Sequence, residues 1–149
     1  MVTYQYKFSK VLTVREQEKS ETEIAYKESV TAFEKVATEL YDLLKKKENT
    51  IQDQNNLLEQ GLSIDGIHHY SKYIDGLLKQ IDVVQKQVIQ ARSKMHWFEE
   101  RLLERTLEVR KFEKMKEKDF ESFQQEQHRL ETIRLDEISS IKFQNKEIR

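Results

Sequence analysis

The second half of the chain carries apolar residues in alternating steps of three and four. Between Ile67 and Phe112 this pattern holds at every step, and Arg105 is the one polar exception. A strand would place apolar residues at every second position, so the spacing predicts an α-helix. An average step of 3.5 residues, kept over so long a run, further predicts a left-handed coiled-coil seam. The seam positions are Ile67, Tyr70, Ile74, Leu77, Ile81, Val84, Val88, Ala91, Met95, Phe98, Leu102, Arg105, Val109 and Phe112.

A looser apolar stripe precedes this seam and predicts a second helix. Its positions are Val30, Phe33, Ala37, Leu40, Leu44, Lys47, Ile51, Gln54 and Leu58, and the neighbours Val36, Leu43 and Leu57 widen its apolar face. Nearer the N-terminus the stripe thins to Phe8, Leu12 and Tyr26, with Arg15, Lys19 and Thr22 between them. The first helix is therefore expected to have a polar seam at its N-terminal end.

A turn is predicted where the segment EQGLSIDGI separates the two stripes. Gly61 can take the left-handed conformation that ends a helix. Ser63 is then placed as an N-cap, and Asp65 favours the positive end of the following helix. Leu62 and Ile67 have the spacing of a hydrophobic staple. The segment therefore connects two helices.

A short connection makes consecutive helices antiparallel neighbours. We therefore predict an all-α fold: a single domain over residues 1–149, formed by a long antiparallel two-stranded coiled-coil hairpin. Helix one is expected at about 3–59, the turn at about 60–63, and helix two at about 64–146.

Helix two is the longer, and this difference predicts a C-terminal helical overhang. A rise of about 1.5 Å per residue places Phe8 across from about residue 116 and leaves the chain beyond Asp119 without a partner. An apolar extension of this kind frays unless something covers it. Its apolar residues are Phe120, Phe123, Leu130, Ile133, Ile138, Ile141 and Phe143.

Composition supports long helices and narrows the function. The chain has no proline and no cysteine, and 36% of its residues are charged with a net charge of −1. The even balance provides no basic stripe, so nucleic acid is not an expected partner. No apolar run reaches membrane-spanning length and no signal peptide is recognisable, which predicts a soluble intracellular chain without direct membrane insertion.

Side chains with catalytic or metal-binding chemistry are present but are not arranged for it. His68 and His69 are adjacent, so on a helix they diverge by about 100° and cannot chelate one ion together. Nucleophile-elbow and phosphate-loop motifs are missing from the sequence. We therefore predict no catalytic residue, no cofactor and no metal. Trp97 and Tyr73, beside the seam, are either binding anchors or pack against its flank. The charged segment 109–120 is either a solvated face or a docking surface.

Three segments carry a family resemblance. They are YQYKFSKVLTVREQEK at the N-terminus, GLSIDGIHHYSKYI at the turn and VRKFEKMKEKDF at 109–120. In this order and spacing they resemble the flagellar export protein FliJ of Gram-positive bacteria, over nearly the whole chain. The resemblance implies a non-catalytic cytoplasmic component of the flagellar type III export apparatus, held at the inner face of the cell membrane and built like the coiled coil of the rotary ATP synthase γ subunit.

The resemblance also implies partners and contact residues. The partners are the hexameric export ATPase, whose ring the hairpin enters and activates, the cytoplasmic domain of the export-gate membrane protein, and export chaperones that the protein escorts. The ATPase-facing residues are Phe8, Leu12, Arg15, Phe112, Met115, Lys116 and Phe120. The gate-facing residues are Leu43, Tyr73 and Leu77, while Gln80 and Val84 depart from the enteric pattern.

Two other functions remain open from the sequence. A structural coiled coil would space or dimerise other components, and its overhang would pair with a second copy. A stalk of a virulence type III secretion system would have the same build. The flagellar-type segments favour the export function over both.

Overall fold

Two long helices form almost all of the chain. The computed structural model describes residues 2–148, in which α1 spans Ser9–Gln60 and α2 spans Ile64–Ile148. No strand occurs within that part of the chain. The prediction of an all-α hairpin of two long, packed helices is confirmed.

The connection between the helices has the predicted chemistry. Gly61 adopts a φ of 93°, and its N–H donates to the carbonyl of Leu58 at 3.3 Å. The Ser63 hydroxyl accepts from the N–H of Gly66 at 3.1 Å, which satisfies one of the free donors at the start of α2. A left-handed glycine and an N-cap serine therefore reverse the chain within a few residues.

Substituting Gly61 with alanine is expected to lower the free energy of unfolding by about 1–2 kcal/mol, because a Cβ is strained at its positive φ. Gly76→Ala is the matched control: this helical glycine has nothing within 4 Å of an added Cβ, so stability should rise by about 0.5–1 kcal/mol. Urea denaturation followed by circular dichroism measures both. Equal effects of the two substitutions would contradict the strain argument.

The start of α1 differs from the prediction. Helix one was expected from about residue 3, but α1 begins at Ser9, whose N–H donates to the Tyr6 carbonyl at 3.2 Å. Residues 2–8 form a non-helical segment that we call the N-terminal strap. The strap is not helical because the side chains of Tyr4 and Tyr6 contact α2, and an alternating, extended chain directs both to the same face.

The chain packs as two compact units. The terminal unit joins the residues up to Lys19 to those from Glu104 onward, and the turn unit is Ser20–Leu103. The expectation of a single domain stays a prediction.

The turn unit is held together by the predicted seam of α2. Leu77, Ile81 and Val88 are its buried residues, as the heptad spacing predicted. On α1 the seam lies one residue earlier than predicted at two places. Leu44 and Leu58 were predicted in the seam but are exposed, while Leu43 and Leu57 are half-buried. The buried or half-buried α1 positions of this unit are Thr22, Ala25, Tyr26, Ser29, Val30, Phe33, Val36, Ala37, Leu40, Leu43, Lys47, Thr50, Ile51, Gln54 and Leu57.

Ile67 was also predicted as a seam residue but is 37% exposed. It lies in the first turn of α2, where the two helices have only begun to pack. Ser29 was not predicted in the seam and is 4% exposed, with its hydroxyl donating to the Tyr26 carbonyl at 2.6 Å. A small residue whose hydroxyl is satisfied within its own helix can occupy a buried seam position at little cost.

Candidate partner-binding surfaces

The N-terminal strap is fixed to α2 by two tyrosine hydroxyls. Tyr6 is 8% exposed, and its hydroxyl donates to the backbone carbonyl of Phe112 at 3.0 Å. The Tyr4 hydroxyl donates to Oδ2 of Asp119 at 2.9 Å and lies 3.4 Å from the Lys116 carbonyl. Both tyrosine hydroxyls therefore have an acceptor, and the strap has a defined register on α2.

Aromatic rings line the contact between strap and helix. The Tyr4 ring centroid lies 5.0 Å from that of Phe120 and 5.2 Å from that of Phe123. Phe8 lies 6.3 Å from Phe112, centroid to centroid. Such separations are typical of favourable aromatic pairs. Below them, the core of the terminal unit consists of Tyr6, Leu12 and Val109.

These contacts correct two predictions. Phe8 was expected opposite residue 116 and instead packs on Phe112. The chain beyond Asp119 was expected to have no internal partner, yet Phe120 and Phe123 both contact Tyr4. The second difference follows from the strap, because an extended chain rises about 3.3 Å per residue where a helix rises about 1.5 Å, and the chain from Phe8 to Tyr4 therefore reaches from Phe112 to Phe120 along α2.

The titration of Tyr4 should report on strap binding. Partial burial and, after it, the hydrogen bond to Asp119 raise the pKa of Tyr4 from 10.0 to about 12. The folded chain favours the neutral phenol of Tyr4. The contribution of this phenol to the stability of the fold is therefore fully present below pH 10 and is lost as the pH rises through about 12. We expect tyrosine-ring NMR to show Tyr4 titrating well above pH 10.

In a Tyr4→Phe variant that late titration should be absent while the ring contacts to Phe120 and Phe123 remain. A Tyr4 resonance that titrates near pH 10.0 would show that the strap does not hold its hydroxyl in solution.

Four charged side chains occupy the polar seam of the terminal unit. Nη1 of Arg105 lies 2.8 Å from Oε2 of Glu18, and Nη1 of Arg15 lies 3.0 Å from the same oxygen. Nε of Arg15 is buried, has no hydrogen-bond partner and lies 3.6 Å from a Glu108 carboxylate oxygen. The hydrogen bond to Glu18, followed by the charge of Glu108, raises the pKa of Arg15. Arg105, the one polar position in the α2 seam, is thus matched by an acid on α1.

The seven ATPase-facing candidates fall into two groups. Leu12 is buried, Phe8 and Phe112 pack against it, and Arg15 is engaged in the ion-pair cluster. Three candidates present themselves to solvent: Met115 at 37% exposure, Phe120 at 40%, and the exposed side chain of Lys116. Their role in ring binding stays a prediction, and the second group is the more exposed of the two.

The gate-facing candidates also differ in accessibility. Leu77 is 4% exposed and belongs to the core of the turn unit. Leu43 lines a shallow groove of about 600 Å³ together with Gln80 and Val84, the two positions that depart from the enteric pattern. Tyr73 is 43% exposed, and Nζ of Lys46 lies 5.9 Å from its ring centroid.

Trp97 also remains open to solvent. It is 52% exposed, the Arg101 guanidinium lies 4.9 Å from its ring, and the Phe98 ring lies 4.9 Å away at a steep angle. Packing against its own helix and presentation to a partner are both compatible with this arrangement.

Across residues 2–148 there is no group of three or more His, Cys, Asp or Glu side chains that could hold a metal ion. In the same residues no helix is apolar enough over a sufficient length to cross a membrane.

Comparison with known proteins decides the family. The family model described as flagellar FliJ protein matches residues 4–147. The flagellar FliJ protein of Bacillus subtilis is 38% identical over 142 residues, covering 95% of this chain and 97% of that protein. The chain belongs to the FliJ family. The family resemblance drawn from the three sequence segments is confirmed, and FliJ proteins are non-catalytic components of flagellar type III export.

The fold has a solved counterpart outside the flagellar proteins. A YscO homologue from Chlamydia trachomatis superposes with a TM-score of 0.66 at 21% identity, and the match covers 99% of each chain. At this identity the similarity shows the fold alone. It agrees with the two-helix stalk build of the FliJ family.

Proposed function

We propose that this FliJ-family chain is a cytoplasmic stalk that binds the flagellar export ATPase through its terminal unit and raises the activity of the ATPase ring. The observation that supports this is the exposed edge formed by Met115, Lys116 and Phe120 on α2. Exposed apolar side chains beside a cation are the kind of anchor from which protein interfaces are built.

The rest of the terminal unit holds this edge in place. Tyr4 contacts the ring of Phe120 and hydrogen-bonds Asp119, and Tyr6 bonds the Phe112 carbonyl. A surface fixed in this way loses little side-chain freedom when it binds. In this proposal Phe8, Leu12 and Phe112 act indirectly, by supporting the edge.

The test uses the export ATPase of the same organism. Adding the full chain is expected to raise the rate of phosphate release and the fraction of hexamer seen by size-exclusion chromatography with light scattering. Met115→Glu should weaken the activating interaction about tenfold or more, because it replaces an exposed apolar side chain of the edge with a charged one. Leu103→Glu, with the same charge change at a residue 61% exposed on the turn unit, is the matched control.

Two results would count against the proposal. One is an ATPase whose rate and assembly are unchanged by the wild-type chain. The other is equal loss of activation in Met115→Glu and Leu103→Glu, which would mean that the effect does not depend on the terminal edge.

We further propose that the turn unit contacts the cytoplasmic domain of the export-gate membrane protein and so brings the chain to the inner face of the membrane. The groove beside Leu43 and the exposed ring of Tyr73 support this. Tyr73→Ala should weaken binding to that domain about tenfold. Tyr41→Ala is the control, since Tyr41 is 62% exposed and also has a lysine, Lys45, near its ring at 5.7 Å.

Escort of export chaperones is the third part of the proposed role, and family membership supports it. We expect flagellar chaperones to co-purify with the chain, and we expect excess wild-type chain to compete for them. A chain that activates the ATPase but retains no chaperone would restrict the function to the stalk role.

A further inference from the structure

The C-terminal part of α2 carries a row of apolar side chains that nothing in the chain covers. None of the side chains of residues 124–147 is buried. Leu130, Ile133, Ile138 and Ile141 are 47%, 42%, 41% and 57% exposed. At about 100° per residue they fall within about 140° of the helix circumference, so they form one continuous face. Such a face on a single helix is a binding surface.

Two residues of opposite charge, Arg134 and Glu137, lie at heptad positions in the centre of this face. Steps of three and four from Gln127 reach Leu130, Arg134, Glu137, Ile141 and Gln144. Ile133 and Ile138 flank the central pair, so a helix packed here would cover apolar residues on both sides of it. Arg134 and Glu137 would then be the only charged residues among these central positions.

The charge pattern is complementary to a second copy of itself in one orientation only. In a parallel pair of identical helices, equivalent residues face each other, so Arg134 would lie against Arg134 and Glu137 against Glu137. In an antiparallel pair the first and fourth heptad positions face each other, so Arg134 would lie against Glu137 at two equivalent sites. The same register places Leu130 against Ile141 and Gln127 against Gln144. Polar residues at such positions fix register and orientation in coiled coils.

We propose that the C-terminal part of α2 is a self-association surface that pairs, antiparallel, with the same segment of a second copy. Two reciprocal Arg134–Glu137 ion pairs define the register, and the surrounding leucine and isoleucine side chains bury the apolar face. The surface is separate from Met115 and Lys116, so it extends the function proposed above without depending on it.

Sedimentation velocity on the full chain over a range of concentrations tests the association. The wild type should show a reversible monomer–dimer equilibrium. Arg134→Glu places acid against acid at both sites, so its dissociation constant should rise at least tenfold. The double substitution Arg134→Glu with Glu137→Arg restores opposite charges and should restore the dimer. Both residues are exposed, so helix content measured by circular dichroism should not change.

Orientation is tested by disulfide formation, since the chain has no cysteine of its own. Gln127→Cys mixed with Gln144→Cys should form a cross-linked dimer under mild oxidation. Gln127→Cys alone should not, because its two copies would be about 25 Å apart along the helix axis.

Three results would overturn the proposal. The first is a monomer at every concentration, which would mean that a different protein covers the face. The second is a dimer that Arg134→Glu does not weaken. The third is a disulfide between two copies of Gln127→Cys.

Discussion

Replacing Leu77 with alanine is expected to lower the free energy of unfolding by about 2–3 kcal/mol. Leu77 is 4% exposed and is one of three buried residues of the α2 seam in the turn unit. Removing its side chain loses the transfer free energy of the apolar atoms and leaves a cavity between the two helices. We place the effect at the low end for such substitutions because a two-helix layer can close partly around the gap. Urea denaturation followed by circular dichroism measures it.

Leu78→Ala is the matched control, since the neighbouring side chain is 44% exposed and its loss should cost less than about 0.5 kcal/mol. The pair also separates two roles for Leu77, which the family resemblance places at the gate contact. If Leu77 acts through the core, Leu77→Ala should weaken gate binding only under conditions where the turn unit begins to unfold. Weaker binding by a fully folded Leu77→Ala variant would contradict this.

The α2 seam could be predicted from sequence because steps of three and four hold without a break from Ile67 to Phe112, which fixes the phase even where two apolar residues are adjacent, as at Leu77 and Leu78. Leu77, Ile81 and Val88 were expected in the core and are buried there. Even Arg105, which breaks the pattern, is in the seam, where Glu18 accepts its hydrogen bond at 2.8 Å. The sequence pattern could not identify Glu18 as the partner of Arg105, because Glu18 lies 87 residues away on a different helix.

The α1 seam was harder to place because polar residues such as Lys47 and Gln54 interrupt its stripe, which leaves the phase open where two apolar residues are adjacent. At Leu43 and Leu44, and again at Leu57 and Leu58, either neighbour satisfies the heptad spacing. Adjacent residues differ by about 100° around a helix, so packing against α2 decides between them. The structure selects the first of each pair, and Leu44 and Leu58 are exposed.

The N-terminal strap was missed because helix periodicity was extended into a segment with a different period. Tyr4, Tyr6 and Phe8 alternate with Gln5 and Lys7, which is the two-residue spacing of an extended chain. That signal was available in the sequence. The acceptors of the tyrosine hydroxyls were not, because they depend on how far an extended segment reaches along α2.

Family resemblance located the candidate surfaces but did not separate contact residues from supporting ones. Leu12 and Leu77 were both named as partner-binding residues, and both are buried. A residue in a family motif can contact a partner itself, or it can support the residues that make the contact. Sequence similarity does not distinguish these two roles. Solvent exposure helps to make this distinction: Met115, Lys116, Phe120 and Tyr73 are exposed, while Leu12 and Leu77 are buried.

Val109→Asp is expected to disrupt the terminal unit, at a cost of about 3 kcal/mol or more. Val109 is 3% exposed in the core with Tyr6 and Leu12, so the new carboxylate would be buried without a partner. The strap should detach, and the amides of Ser9 and Leu12, which donate to the strap carbonyls of Tyr6 and Phe8, should lose protection in hydrogen-exchange experiments. If the proposed ATPase contact is correct, activation of the ATPase should be lost as well, because the edge at Met115 and Phe120 loses its support.

Leu107→Asp makes the same kind of change two residues away, at a side chain 54% exposed, and should leave both the protection of the strap and ATPase activation unchanged. Loss of activation in Val109→Asp with a fully protected strap would place Val109 itself at the interface. Loss of strap protection with normal activation would show that the strap is not needed to hold the binding edge. The two measurements together therefore distinguish a supporting core from a contact surface in the terminal unit.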